Sequence, residues 1–207
     1  ISTAPPNITV ESNDTVSAYA QQFNAGVSRT IARDVAVTAD VSITNRYSDR
    51  DVIDPNLPDA VTKAKLYPQF ARVNYWVSTA NNTYRALLLK VDKRLSNRYQ
   101  FLVSYTLSKA MDTQATNQIG DRYGFFSIER YGAADRRHRL VTSGIVQLPA
   151  DVMLSAIGDF RSSLRFAPSS GLDLNGDGYA IDLPAGVMPG TGCRDMNLDA
   201  VNTFRRG

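Results

Sequence analysis

From Val35 to Tyr47 the chain reads VAVTADVSITNRY, with Val35, Val37, Ala39, Val41 and Ile43 at odd positions and Thr38, Asp40, Ser42 and Thr44 at even ones. This period of two, not 3.6, marks an extended strand with one apolar and one hydrated face. The preceding run, QQFNAGVSRTI, sets Phe23, Ala25, Val27 and Ile31 against Gln22, Asn24, Ser28 and Thr30. Only Ala32 to Asp34 separates the two runs, so they read as a tight hairpin. A second pair couples YRALLLKVDKR to YQFLVSYTLSKAMD. Leu87, Leu89 and Val91 oppose Lys90 and Asp92 in the first run; Tyr99, Phe101, Val103, Tyr105 and Leu107 oppose Gln100, Ser104, Thr106 and Ser108 in the second. Leu88 and Leu102 break the polar faces. A softer third pair, HRLVTSGIVQLP and VMLSAIGDFRSS, turns at Pro149, Ala150 and Asp151.

The predicted fold is all-β: an antiparallel up-and-down meander of about six strands near 20–32, 35–47, 84–95, 98–110, 138–149 and 152–163, in one partial-barrel domain spanning 1–207. Connections within the hairpins are short, whereas those over 48–83, 111–137 and 164–207 are long for a compact soluble domain. Tight turns at one end and long loops at the other characterise a transmembrane barrel. Hydrocarbon cannot satisfy backbone amides, so strands must pair around a ring with apolar residues outward and wet ones inward. Tyr47 and Tyr99, near strand ends, suit interfacial positions. A soluble antiparallel sandwich, apolar toward its core, is the alternative reading of the same alternation.

Charge and composition narrow the classes. Lys and Arg number 23 against 20 Asp and Glu, a net charge of +3 without basic blocks, so nucleic acid is not an expected partner. No apolar run approaches the roughly 18 residues of a membrane helix, a test to which β-barrels are blind. The single cysteine, Cys193, cannot form an internal disulfide and reads as an ordinary buried or loop thiol. The chain starts at Ile1 and ends in NTFRRG, and is expected to be a piece of a longer polypeptide.

Four ordered stretches carry a resemblance: YPQF, NTYRALLLKVDKRLSNRYQFLVSYTLSKAMD, ERYGAADRRHRLVTSGIVQLP and GLDLNGDG, together spanning Tyr67 to Gly178. They are similar to the C-terminal half of the barrel of TonB-dependent outer-membrane receptors, of the Oar-like kind with a carboxypeptidase-regulatory-like N-terminal domain. The resemblance implies a barrel of about 22 strands with a plugged lumen. It further implies energised uptake of a scarce ligand in the bacterial outer membrane, with outer-membrane lipid and, through an N-terminal part, the TonB system as partners. No plug and no TonB-contacting segment is matched within these 207 residues, so six strands of a transporter are expected here. Arg165 follows SSL where such receptors often carry Pro, and the likeness thins beyond Pro184.

DLNGDGYAID is the strongest site motif. Asp173, Asn175 and Asp177 fall at positions 1, 3 and 5 of a calcium loop, Gly178 at the bend and the Tyr179 carbonyl at position 7. Pro184 replaces the bidentate Glu of position 12, leaving Asp182 as the further carboxylate. Calcium there and a metal-free external turn are both open, and no cofactor is required. ERYGAADRRHR holds the only histidine, His138, near Asp135, but consecutive strand positions point to opposite faces and no GxSxG elbow is present. No catalytic residue is assigned; a secreted calcium-dependent hydrolase or binding protein is the soluble alternative. The aromatics of YGFFSIERY, Tyr123 to Tyr131, could grip a ligand or pack a loop onto the rim.

Overall fold

The computed structural model describes residues 4–59, 61–113, 130–131, 135–164, 170–174, 178 and 180. Eight strands form one sheet: β1 (Asn7–Glu11), β2 (Tyr19–Ala32), β3 (Val35–Ile53), β4 (Arg72–Ser96), β5 (Tyr99–Asp112), β6 (Arg130–Tyr131), β7 (His138–Gln147) and β8 (Met153–Arg161). The expected six-strand meander is its spine, in the order β2-β3-β4-β5-β7-β8 with every pairing antiparallel. β1 is an addition that pairs parallel to β4, and β6 pairs with the end of β5.

The expected loop over 48–83 is corrected. β3 continues to Ile53 and β4 already starts at Arg72, so the connection runs only over 54–71. The pairing slips between Arg46 and Asp49 and again between Asp49 and Asp51, and Ser48 has a φ of 57°. Such bulges reset which face a residue occupies, so the period-two signal stops near Tyr47 although the strand does not. The loop expected over 111–137 is likewise trimmed by β5, which reaches Asp112, and by β6.

Two-residue turns need a left-handed backbone that matches strand twist. Asn97 and Arg98, between β4 and β5, have φ of 50° and 73°. Neighbouring turns are tied together: the Arg94 amide donates to the Asp34 carbonyl at 2.8 Å, and the Gln147 amide to the Arg98 carbonyl at 2.7 Å.

The register extends the alternation across the sheet. Val27–Ala39–Leu89–Tyr105–Leu140–Phe160 and Val37–Val91–Val103 are cross-strand rows of one face. Among the described residues no second layer covers it. Among the described residues the buried apolar side chains are Val73, Ala80 and Ala86, whereas Phe23, Val27, Val41, Leu89 and Phe160 are exposed. A sandwich would bury these rows against a facing sheet, and the described strands belong to a single one. The run from Val35 to Ile43 rises roughly 26 Å, or roughly 20 Å of depth at a ~40° tilt, close to a barrel's apolar band. Tyr19 stacks on Tyr47 at 5.3 Å near the loop end, and Tyr99 on Phe101 at 6.5 Å near the turn end. Aromatic pairs thus bracket the band as girdles do. No helix among the described residues is long and apolar enough to cross a membrane.

Candidate functional site

The opposite face is wet. Its rows include Asn24–Ser42–Ala86–Ser108, Gly26–Asp40–Leu88–Thr106–Arg139–Arg161 and Ser28–Thr38–Lys90–Ser104–Val141–Asp159. Ser28 and Thr38 hydroxyls bond across strands at 3.0 Å, and Lys90 lies 3.4 Å from Asp92. Asp159 accepts two hydrogen bonds from Arg139, at 3.1 and 3.3 Å, and is also chelated by Arg161. Planar guanidinium forks suit this shared carboxylate, which holds two neighbouring strands in register. Asp40 lies so close over β2 that a Cβ on Gly26 would stand 1.8 Å from its carboxylate; glycine makes room for it. A concavity of about 810 Å³ opens on this side near the turns, its lining including Lys90, Asp92, Gln100, Leu102, Ser143 and Ile157.

Beyond the apolar band, β3 and β4 carry a second structure, a platform. β1 docks on β4 over Arg72 to Trp76, while β3 pairs along the other edge from Asp51 to Ile53. The loop over 54–71 is organised by Asn56, which is 1% exposed: its amide nitrogen donates to the Tyr67 and Phe70 carbonyls at 3.0 Å each, and its oxygen accepts from the Tyr67 amide at 2.7 Å. The buried carboxylate of Asp54 accepts from the Asn56 and Val73 amides. Arg50 joins β1 to the sheet, 2.6 Å from Glu11 and 4.9 Å above the Trp76 ring. Between loop and sheet lies a cavity of about 420 Å³ lined by apolar side chains, among them Ile8, Ile53, Phe70 and Tyr75. A pocket of this kind accepts an apolar or aromatic group and offers it little polar recognition.

An open single sheet with a lipid-compatible face, a charged inner face and an outer platform finds its counterpart in one comparison: residues 1–175 match the model of a family described as an outer membrane beta barrel domain. The chain belongs to that family. No curated protein and no solved structure matches it. Family membership places this barrel domain in the bacterial outer membrane, its apolar face toward lipid and its polar face toward the lumen.

Of the predicted calcium ligands in the barrel domain, Asp173 is described, whereas Asn175, Asp177, Tyr179 and Asp182 lie outside the described residues. Gly178 has a φ of 92°, the bend expected of it, and its amide donates to the Asp173 carboxylate at 2.9 Å. No group of three or more metal-ligating side chains occurs among the described residues. Cys193 and the aromatics from Tyr123 to Phe126 also lie outside them. His138 and Asp135 part company: His138 Nδ1 is 2.7 Å from the Tyr105 hydroxyl, and the buried Asp135 carboxylate accepts from the Ala110 amide.

Sequence reasoning missed the platform hub. PNLPD reads as a turn, and nothing local distinguishes a buried Asn56 from a solvated one. It also missed Lys93, which the register sets opposite Phe101 on the lipid face. Only 6% exposed, Lys93 reaches the Asp34 carboxylate at 2.7 Å and the Ser96 hydroxyl at 2.6 Å, with the Tyr99 ring 4.0 Å away. A lysine interrupting an apolar face beside a turn acid was the available signal.

Proposed function

We propose that this barrel domain forms part of the wall of a TonB-dependent receptor that takes up a scarce ligand across the outer membrane. One observation carries the reading. Along a largely wet inner face, Leu102, Ile145 and Ile157 cluster toward the turn end, in the rows containing Ser143 and Gln100, and Ile157 is 83% exposed. The wall of a water-filled pore gains nothing from such a patch, whereas a globular plug seated in the lumen would cover it. The ordered motifs from YPQF to GLDLNGDG support the same reading, and the platform supplies an external surface on which a ligand is sampled before entry. Energy would come from the TonB system acting on a part of the polypeptide N-terminal to the barrel.

The test is conductance. The complete polypeptide carrying this domain, inserted in planar bilayers, should give no steady current, because the plug blocks the lumen. A persistent open-pore current from the unaltered protein would replace the plugged receptor with a porin.

A further inference from the structure

The platform cavity has a floor and a roof of different origin. Its floor is sheet: the row Val10–Tyr75–Ile53 crosses β1, β4 and β3, the row Ile8–Val73 lies two positions away, and the strand period brings both to one face. Its roof is the loop over 54–71, which adds Tyr67 and Phe70 to the lining. Nothing in the barrel wall requires the space between them. A free loop would lower its apolar side chains onto the sheet and expel water from about 420 Å³. Polar groups keep it from doing so. Asn56 binds the backbone of both Tyr67 and Phe70, the Asp54 carboxylate accepts from the Val73 amide at 3.2 Å, and the Lys65 ammonium donates to the Ala71 carbonyl at 2.7 Å. The Ala71 amide in turn donates to the Pro6 carbonyl at 2.9 Å, which ties the loop to the start of β1. Two aromatic side chains thus stand on a backbone fixed in advance, an arrangement that reduces the ordering cost of binding.

We infer that this cavity is a binding site for an uncharged, planar aromatic group of a small ligand. Three of the lining side chains, Tyr67, Phe70 and Tyr75, are rings, and rings stack on rings with a gain beyond simple burial. Among the described residues no charged side chain lines the cavity, so a charge entering it would lose water without gaining a partner. The volume is that of a small-molecule pocket, too small to seat a protein surface. Ile53 lies about 20 Å along β3 beyond Tyr47, clear of the acyl chains, which removes lipid as the occupant. The inference deepens the receptor reading, on which it rests only for the ligand's onward passage through the barrel.

The experiment follows hydrogen exchange of the complete polypeptide in phosphatidylcholine nanodiscs, with 2-naphthol as the aromatic probe, 1-octanol as its aliphatic counterpart and naphthalene-2-sulfonate as its charged one. With 2-naphthol at about ten times its dissociation constant, exchange over 67–76 and along β1 should slow about tenfold while the spanning strands are unaffected. Neither other probe should do this. Val10→Trp, which fills the cavity from its exposed rim, should abolish the slowing and leave exchange without probe as in the wild type. Phe70→Leu, which keeps an apolar side chain but not the ring, should weaken 2-naphthol about fivefold. Lipid takes up the probes equally in every disc, so the variants isolate the site. Absence of slowing would overturn the inference, as would equal slowing by 1-octanol or the sulfonate, or slowing that survives Val10→Trp. A protein that blocks current but whose platform ignores 2-naphthol loses this inference alone; an open pore whose platform takes up 2-naphthol loses the receptor reading alone.

Discussion

At the turn end of the apolar face, Lys93 folds back into the protein, with its ammonium against Asp34, Ser96 and the Tyr99 ring. At the loop end, Arg85 looks across at Lys109 with no acid in their row. Both ends place a cation where the membrane's polarity changes, and the connection lengths account for the different outcomes. The turn end packs tight hairpins side by side, so an acid and several carbonyls from adjacent turns lie within reach of one lysine. At the loop end β3 and β4 do not turn but run on into the platform, so the apolar band stops on strands that bring no acid into the Arg85 row. One border gathers an acid, a hydroxyl and a ring around a single lysine; the other sets two cations opposite one another across a strand pair.

The largest effect that would break this comparison is Lys93→Met, which keeps most of the apolar stem and removes the charge. It leaves the Asp34 carboxylate with the Ser96 hydroxyl but without its cation at the junction of two turns. The urea midpoint for unfolding the detergent-solubilised protein should fall more than for any cation substitution at the loop end. Acid should reproduce part of the loss. The hydrogen bond from Lys93, reinforced by Ser96, lowers the pKa of Asp34 below its ordinary 3.8. A carboxylate depressed in the folded state contributes stability that is fully present above pH 3.8 and disappears as pH falls through the lower folded value. The melting temperature should lose this contribution only below about pH 4, and in Lys93→Met that part of the acid limb should be missing. An unchanged acid limb would remove the lysine from the account of the turn end.

Second in size is Asn56→Ala, which sharpens the comparison at the other end. Three hydrogen bonds to the loop backbone disappear within a buried site. The cost should be about 2–3 kcal/mol, borne locally. Hydrogen exchange should accelerate over 54–76 and along β1 while the spanning parts of β4 and β5 stay protected. Acceleration that spreads through the spanning strands would mean that the platform and the barrel wall form one cooperative unit.

These two residues also mark how far the sequence could be read. Val35 to Ile43 was legible because lipid outside and water inside impose period two on consecutive residues, leaving little freedom to local chemistry. The continuation of β3 past Ser48 was not, because bulges shift the alternation without ending the strand. β1, with NITVE mostly exposed, carries no pattern of its own and is a strand only because β4 offers it an edge. Asp54 and Asn56 look like turn residues in DPNLPD, and their burial depends on carbonyls and amides more than ten positions away. The polar inner face was read correctly at Thr38, Asp40 and Lys90, but the sharing of Asp159 by Arg139 and Arg161 requires knowing that β7 and β8 pair in that register.

The smallest effect separates the two aromatic borders. Tyr99→Leu removes a ring that stacks on Phe101 and also lies 4.0 Å from the Lys93 ammonium, whereas Tyr47→Leu removes only a stacking partner of Tyr19. A cation–π contact at a partly desolvated site adds about 1 kcal/mol to the worth of an aromatic pair, itself about 0.5–1.5 kcal/mol. Tyr99→Leu should therefore cost about twice as much as Tyr47→Leu in urea unfolding of the detergent-solubilised protein. In the Lys93→Met background the excess should vanish, because the cation that distinguishes the two rings is gone. If it persists, Tyr99 contributes through packing at the turn rather than through the lysine, and the self-contained character of that border rests on Asp34 and Ser96 alone.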